Sequence, residues 1–332
     1  MRDNDRVTSA TRQSEPPAAA TRPRLIATDL DGTLLRDDKS VSPRTVAALA
    51  AAEQAGIEVF FVTGRPARWM DVVSAHVHGH GLAICGNGAA VVDLHGGPGR
   101  HRFVKVRELP PQNALDAVRL LREAAPGTVY AVEQTYGFHQ EPAYPKLHME
   151  VPDDLLPAEE ILAPGGRAAT EPVLKILAFH PELDPDGFLT LARLAIGDRA
   201  NVTRSSPSAL LEISGPDVSK ASTLALCCAE RGLSHEEVVA FGDMPNDVEM
   251  LTWAGQSYAM GNAHPDVIAA ASGRTVANND DGVAVVIERM LDLPGRAAPP
   301  GARRRGTSGA VTAAPRAATA TAPGPAPNPS PG

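Results

Sequence analysis

The stretch that decides the fold reads Leu25-Ile-Ala-Thr-Asp-Leu-Asp-Gly-Thr-Leu-Leu35. A short apolar run ends on Asp29, a second carboxylate follows at Asp31, and Gly32 lets the chain turn. A continuous apolar run of this length is typical of a strand buried on both faces of a parallel sheet. Ligands of open α/β sheets bind beyond the carboxyl ends of the strands. The stretch therefore predicts two acids at the mouth of such a sheet.

The spacing of Asp29 and Asp31 suits phosphoryl transfer. An aspartate can attack phosphorus and carry the phosphoryl group as an acyl phosphate. A second carboxylate can protonate the leaving oxygen and later deprotonate water. Two like charges a few Å apart repel by roughly 4 kcal/mol at an effective dielectric near 20. We therefore expect a hard cation, Mg²⁺, in an oxygen-lined site. A purely structural acidic turn is the alternative.

The segment Asp-Leu-Asp-Gly-Thr-Leu-Leu resembles the first motif of the haloacid dehalogenase (HAD) superfamily of phosphohydrolases. The resemblance implies that Asp29 is the nucleophile and Asp31 the general acid and base. Asp31 favours a phosphatase or a phosphomutase, because related cation pumps have threonine at this position and dehalogenases lack the acid.

A second buried strand, predicted over Ile57–Val62, ends on Thr63-Gly64-Arg65. A hydroxyl and a free backbone amide at a strand end can hold a phosphate oxygen. Thr-Gly-Arg resembles the second HAD motif, which implies this role for Thr63 and for the amide of Gly64. The alternative for Thr63 is a simple helix cap.

The third motif is expected at the start of a helix. Ser219 can cap a helix that begins at Lys220 and ends near Gly232. Val-Ser-Lys-Ala resembles the third HAD motif, which usually reads Ser-Lys-Gly, so Ala221 is a departure. Lys220 is expected to neutralise both the acyl phosphate and the transferring phosphoryl group. An exposed helix charge is the alternative.

A last strand, predicted over Val238–Phe241, leads into Gly-Asp-Met-Pro-Asn-Asp, which ends at Asp247. Asp243 is expected beside Asp29 as a further carboxylate of the metal site. Asn246 is expected to donate to phosphate, and Asp247 to orient Lys220 by charge pairing. This segment, with the Val-Glu-Met-Leu that follows it, resembles the fourth motif of the Cof-type branch, subclass IIB. The resemblance extends over about Leu25–Leu291.

The resulting fold class is α/β, with a Rossmann-like, mostly parallel sheet as the core and an inserted α+β cap domain. The cap is placed between the second and third motifs, where no catalytic motif appears. Both ends of the chain have compositions that favour disorder. The predicted divisions are an N-terminal tail over 1–23, a catalytic core over 24–90 and 209–293, a cap over 91–208, and a C-terminal tail over 294–332.

Two further patterns leave alternatives open. The stretch Thr135–Lys146 contains Tyr136, His139, Tyr144 and Lys146 and could be a substrate loop, although a surface loop explains it equally well. The alternating histidines suggest a metal site, but a solvated helix end is favoured because no acid or thiol is close in sequence. These histidines are His76, His78 and His80.

Composition excludes several classes of function. The formal net charge of −8 argues against general nucleic-acid binding. No apolar run reaches the roughly 18 residues of a membrane span, and Met1–Pro23 lacks the apolar stretch of a signal peptide. The 3 cysteines do not form a disulfide framework, which favours the reducing cytoplasm. No pattern indicates an oligomeric state.

The sequence therefore predicts a Mg²⁺-dependent phosphomonoester hydrolase. A phosphomutase or phosphotransferase and a non-catalytic metabolite-binding protein are the alternatives. The resemblance implies a small phosphorylated partner: a sugar phosphate, flavin mononucleotide or pyridoxal phosphate. The metal would be held by Asp29, the backbone carbonyl of Asp31 and Asp243. The predicted phosphate ligands are the amides of Leu30 and Gly64 and the side chains of Thr63, Lys220 and Asn246.

Overall fold

The computed structural model describes residues 22–74, 81–146, 151–166, 169–206 and 208–293. The histidines at 76, 78 and 80 lie outside these ranges, as do the predicted C-terminal tail and all but the last two residues of the N-terminal tail. Arg22, predicted to be disordered, donates to the carbonyl oxygens of Leu291 and Leu293 at 2.5 and 2.9 Å.

The strands alternate with helices along most of the chain. In chain order the strands are β1 Leu25–Thr28, β2 Glu58–Val62, β3 Leu82–Cys85, β4 Ala90–Asp93, β5 Arg102–Val106, β6 Val129–Gln134, β7 Phe138–Gln140, β8 Asp154–Leu155, β9 Val173–Phe179, β10 Asn201–Thr203, β11 Leu210–Ser214, β12 Val238–Gly242, β13 Gln256–Ala259 and β14 Gly273–Arg274. The helices are α1 Pro43–Gln54, α2 Asp71–Ser74, α3 Pro111–Ala124, α4 Ala158–Leu162, α5 Pro185–Ile196, α6 Lys220–Glu230, α7 Val248–Trp253, α8 Pro265–Ala270 and α9 Gly282–Leu291.

The described strands form two sheets. The core sheet has the order β14-β13-β12-β1-β2-β3-β4-β5, and it is parallel from β14 to β3. Its last two strands, β4 and β5, run antiparallel. The inserted sheet has the order β10-β11-β9-β6-β7-β8. A mostly parallel core with an inserted α+β unit confirms the predicted fold class.

Strand β1 lies at the centre of the core sheet and is buried along its whole length. Ile26 joins the apolar cluster that includes α1 and α9, whereas Leu25 and Ala27 join the cluster that includes α6 and α7. Side chains of a strand alternate between its faces. The continuous apolar run of β1 therefore reflects helices on both faces of the sheet, as its sequence predicts.

Among the described residues, helices pack against one face of the inserted sheet. Its apolar cluster includes α3 and α5 together with the inward residues of β9 and β11, such as Ile176 and Ile213. Three strands cross the predicted divisions. Residues 91–93 of β4 and all of β5, predicted in the cap, belong to the core sheet, and β11, predicted in the core, pairs with β9. The division into domains itself stays a prediction.

Within the described ranges, no helix is both long and apolar enough to cross a membrane. The longest of these helices, α3, has 14 residues.

A tight turn between β3 and β4 carries Gly86, Asn87 and Gly88. Asn87 has a left-handed φ of 55°. Gly88 has a φ of +107°, and a Cβ atom at this position would lie 2.3 Å from the carbonyl oxygen of Ser219. The Thr223 hydroxyl donates to the Gly88 carbonyl at 2.8 Å. This turn therefore fixes the position of the first turn of α6 against the sheet.

We expect Gly88→Ala to destabilise the protein by about 2–4 kcal/mol, because the new Cβ atom collides with backbone. Gly97→Ala is the matched control, since Gly97 also has a positive φ, of 78°, but open space around it. Its cost should be about 1 kcal/mol. Thermal unfolding measures both variants, and equal shifts in Tm would contradict the close approach of this turn to α6.

Candidate active site

Three neighbouring parallel strands deliver polar side chains to one edge of the core sheet. Asp29 follows β1, Thr63 follows β2 and Asp243 follows β12. All three side chains are buried, with 1–7% of their surface exposed. Strands β12, β1 and β2 are in parallel register, so their carboxyl ends lie side by side. The structure thus brings the first, second and fourth motifs together.

Lys220 brings in the third motif from the first turn of α6. Its Nζ donates to Asp29 Oδ1 at 2.5 Å and to Asp247 Oδ1 at 2.7 Å. The Ser219 hydroxyl caps the helix by accepting the Ser222 amide, and so fixes where the helix begins. Lys220 is only 1% exposed, so it is not a surface charge.

Asp247 serves as the fixed partner of that lysine. Its second carboxylate oxygen, Oδ2, accepts the backbone amides of Asp243 and Met244 at 3.0 and 3.1 Å. Gly242 makes this turn possible, because a Cβ atom there would lie 2.5 Å from Cβ of Asp247. Asp247 therefore orients Lys220 and closes the turn after β12 at the same time.

Close backbone packing brings Asp243 to the first motif. The Thr33 hydroxyl donates to Asp243 Oδ1 at 3.0 Å. Gly32 has a φ of +75°, and a Cβ atom there would lie 2.2 Å from Asp243 Oδ2. Only glycine fits at this position, since both the left-handed backbone and the contact exclude a side chain.

This group contains three carboxylates, those of Asp29, Asp243 and Asp247, and one ammonium, that of Lys220. Ligand atoms of Asp29, Asp243 and Asp247 all lie within 4.8 Å of one another, in a group that could hold a metal ion. Burial raises the pKa of Asp29, and the charges of Asp247 and Asp243 raise it further, against the lowering effect of Lys220. Burial, followed by the Asp247 charge, raises the pKa of Asp243 to about 7. An all-oxygen donor set with excess negative charge fits a hard divalent cation.

The carboxylate of Asp31 forms ion pairs with two cationic side chains, those of Arg65 and Lys39. It accepts from Arg65 Nε at 2.5 Å and Nη2 at 2.7 Å, and from Lys39 Nζ at 2.9 Å. Burial alone would raise its pKa, but the hydrogen bonds and charges of Arg65 and Lys39 lower that pKa to about 2. In this arrangement Asp31 is a carboxylate at neutral pH, ready to accept a proton.

The predicted phosphate ligand Asn246 is held by an asparagine that sequence reasoning did not select. Asn246 Nδ2 donates to Asn87 Oδ1 at 3.0 Å. Asn87 is 2% exposed and lies in the left-handed turn after β3. One amide hydrogen of Asn246 is thus engaged, and the other is available for a ligand.

A cavity of about 340 Å³ lies over this group of residues. The core side contributes predicted site residues, including Asp29, Asp31, Thr63, Gly64 and Asn246. The inserted sheet contributes residues that the sequence analysis missed: Glu133, Lys175, Leu177, Leu210 and Glu212. Of the described residues in the proposed substrate loop 135–146, only Phe138 lines the cavity.

The four residues named for that loop lie elsewhere. Tyr136 is 75% exposed and packs against Phe103, with ring centroids 5.3 Å apart. His139 is buried and bonds to Gln134. Tyr144 packs in an apolar cluster with Leu177, and Lys146 is exposed. None of these four residues lines the cavity, although Phe138 of the same stretch does.

Comparison with known proteins decides the family. A family model described as haloacid dehalogenase-like hydrolase matches residues 26–287. The chain belongs to this family. The predicted assignment to the HAD superfamily and its Cof-type branch is confirmed.

Curated relatives of this HAD chain are phosphatases. A 5-amino-6-(5-phospho-D-ribitylamino)uracil phosphatase of Bacillus subtilis is 29% identical over 82% of this chain and 99% of its own length. A pyridoxal phosphate phosphatase of Escherichia coli is 29% identical over 81% of this chain and 98% of its own. The prediction that the chain is an enzyme, a HAD-type phosphatase, is confirmed.

Solved structures show the same fold. The HAD phosphatase BT1666 of Bacteroides thetaiotaomicron superposes with a TM-score of 0.68 at 23% identity, covering 83% of this chain and 97% of that one. The subclass IIB sugar phosphatase BT4131 gives a TM-score of 0.65 at 22% identity, covering 80% of this chain and 98% of that one.

The raised pKa of Asp243 predicts how the stability of the metal-free HAD protein depends on pH. Between about pH 4 and pH 7 the folded protein keeps a proton that the unfolded chain has released, so stability falls as pH rises. Asp243→Asn removes this group. At pH 8 without metal, the variant should be more stable than the parent by roughly 2–4 kcal/mol.

Thermal unfolding in a chelator at about pH 5 and pH 8 checks this, with the exposed Asp38→Asn as control. If the parent and Asp243→Asn lose stability equally between these two pH values, Asp243 does not titrate as described.

Proposed function

We propose that this chain hydrolyses phosphomonoesters of small metabolites through a phosphoryl group carried on Asp29. The observation that carries the proposal is the position of Lys220, whose buried ammonium bridges Asp247 and Asp29, the carboxylate that lines the cavity. A lysine fixed in this way favours the anionic form of the nucleophile and stabilises the charge that develops on a transferring phosphoryl group.

The phosphate would lie among donors from several strand ends. Thr63 offers its hydroxyl, Asn246 its second amide hydrogen, and Lys220 its third N–H. The backbone amides of Leu30 and Gly64 complete the set that the resemblance predicts. Fixed donors around the equatorial oxygens are what phosphoryl transfer requires, because positioning and electrostatics supply most of the rate enhancement.

Asp29, Asp243 and the backbone carbonyl of Asp31 would hold Mg²⁺. When bound, the ion would neutralise the acids and the phosphate and act as a Lewis acid on phosphate oxygen. Asp247 uses its two carboxylate oxygens in hydrogen bonds with Lys220 and with two backbone amides, so it has a supporting role. Asp29 and Asp243 are therefore the carboxylates available to the ion.

Asp31 would take the proton from the water that hydrolyses the acyl phosphate on Asp29. Its ion pairs with Arg65 and Lys39 suit this half of the reaction, since they keep it ionised. In the first half it would give a proton to the leaving oxygen. An approaching phosphate dianion raises the pKa of a neighbouring carboxyl, which favours the protonated form needed there.

The relatives and the cavity together support this substrate class. The relatives described above act on a phosphorylated ribitylamino-uracil and on pyridoxal phosphate. A cavity of about 340 Å³ lies within the range that suits small metabolites. Transfer of the phosphoryl group to water, not to a sugar hydroxyl, separates this function from a phosphomutase or phosphotransferase. A reducing cytoplasmic location stays a prediction; all three cysteines are buried thiols.

Asp29→Asn should lower kcat on p-nitrophenyl phosphate by at least about 10⁴-fold while the protein stays folded, because an amide is not a nucleophile here. Release of inorganic phosphate in the presence of Mg²⁺ measures the loss. Asp38→Asn, a change of an exposed carboxylate in the same half of the chain, should keep activity within twofold. Near-normal turnover by Asp29→Asn would refute the nucleophile assignment.

Asp31→Asn should separate the two half-reactions. With p-nitrophenyl phosphate, whose leaving group needs little protonation, we expect a burst of about one nitrophenolate per enzyme and then slow turnover. With an alkyl phosphate the first step itself should slow by about 10²–10⁴-fold, without a burst. Equal loss on both substrates without a burst would show that Asp31 does not act in both steps.

A further inference from the structure

The cavity is bounded on the side of the inserted sheet by three buried charges on adjacent strands. Glu133 on β6, Lys175 on β9 and Glu212 on β11 are each 2–4% exposed. Glu133 lies directly opposite Lys175 in the sheet register. Glu212 lies opposite Leu177, which is two residues from Lys175 and therefore on the same face of β9. Buried charges are unfavourable unless they are paired, so their contacts should reveal what they do.

Two of these charges reach across to the core. Lys175 pairs with Glu212 and also donates to the backbone carbonyl oxygen of Gly64 at 2.6 Å. Glu133 accepts hydrogen bonds from Nη1 and Nη2 of Arg68. Gly64 and Arg68 both belong to the segment that follows β2. The inserted sheet thus holds this segment at two points.

Lys175 binds the peptide group between Gly64 and Arg65, which connects to the side chains of the second motif. The carbonyl of the Gly64–Arg65 peptide is held by Lys175, and the amide of the same peptide donates to Thr63 Oγ1 at 3.1 Å. Because Oγ1 accepts this amide, the hydroxyl hydrogen of Thr63 remains available for a phosphate oxygen. The Arg65 side chain in turn holds Asp31.

The direction of the Gly64 carbonyl has to be fixed by a contact from outside its own segment. Glycine has more backbone freedom than any other residue, so its carbonyl direction is not fixed by its own sterics. A larger residue would be crowded, since a Cβ atom there would lie 3.2 Å from Asn87 Oδ1 and 3.3 Å from Glu212 Oε1. A charged donor on a backbone carbonyl is a strong way to fix the peptide.

We propose that Lys175 is a positioning residue for the phosphate site. Its ammonium, oriented by Glu212, holds the Gly64–Arg65 peptide and thereby sets the Thr63 hydroxyl and the Arg65–Asp31 pair. The phosphate site is then complete only when the inserted sheet is seated on the core sheet. This inference rests on the proposed function, and it adds that a residue which does not contact the phosphoryl group controls how tightly that group is bound.

Inorganic phosphate is the discriminating probe, because it has no leaving group. In Lys175→Met its inhibition constant with Mg²⁺ present should rise about tenfold, the loss expected for one hydrogen bond to a charged group. The loss in kcat/KM should be similar for p-nitrophenyl phosphate and for alkyl phosphates. A residue that binds the leaving group would instead change the ratio between substrates and leave phosphate inhibition unchanged.

Two further variants separate positioning from stability. Arg122→Met also removes a cation that pairs with a buried carboxylate, Glu141, but its contacts stay within the inserted unit. It should leave phosphate inhibition within twofold of the parent. The double variant Lys175→Met/Glu212→Gln removes both charges of the pair. It should recover much of the Tm lost in Lys175→Met but none of the phosphate affinity.

The inference is overturned if phosphate inhibition in Lys175→Met and in the double variant stays within twofold of the parent, or if the loss depends on the leaving group. It is also overturned if the double variant regains phosphate affinity along with Tm. Failure of the proposed function gives a different result, because the unmodified protein would then release no phosphate from any phosphomonoester.

Discussion

The buried ammonium of Lys220 between Asp29 and Asp247 is the interaction on which the rest of the site depends. A lysine taken out of water is stabilised only by charges held close to it, and two carboxylates within 2.7 Å provide them. Burial lowers the pKa of Lys220, but the charges and hydrogen bonds of Asp247 and Asp29 outweigh burial and raise this pKa above its ordinary range. One cation cannot balance Asp29, Asp243 and Asp247 together, so the site retains an excess of negative charge. That excess is the physical reason for a divalent ion, which would also offset the negative charge of an incoming phosphate.

Close backbone contacts make this arrangement possible. Gly32 lets Asp243 approach the first motif, Gly242 lets Asp247 fold back, and Gly88 lets the first turn of α6 sit against the sheet. At each position a side chain would collide with a neighbour at less than 3 Å. The precision of the site thus comes from rigid strand ends packed at backbone distance, and the inserted sheet adds a second layer of contacts from the other side of the cavity.

The sequence predicts which side chains meet at this edge of the sheet because its signals are local. An apolar strand followed by an acid places that acid at a sheet edge, and parallel register then brings Asp29, Thr63 and Asp243 together. The ion pair of Asp247 with Lys220 was likewise predicted. The partners of Asp31 were not, because Arg65 and Lys39 reach it through side-chain conformations that no spacing specifies.

The residues that the inserted sheet contributes to the cavity were harder to predict, because they are single residues on separate strands. The stretch 135–146 was considered as a substrate loop, with a surface loop as an equal alternative, and the four residues named in it do not line the cavity. The usable signal was a lone charge within an otherwise apolar strand, as with Lys175 in Val173–Phe179 and Glu212 in Leu210–Ser214. Such a charge is unfavourable in a core and therefore indicates a strand face that borders a polar site.

The account depends most directly on Asp29 becoming phosphorylated during turnover. Rapid quenching of the enzyme with substrate and Mg²⁺, followed by borohydride reduction and peptide mass spectrometry, detects an acyl phosphate as homoserine at the modified position. The account predicts homoserine at position 29, formed only in the presence of substrate. Turnover at the normal rate with an unmodified Asp29, or with the label on another carboxylate, would contradict it.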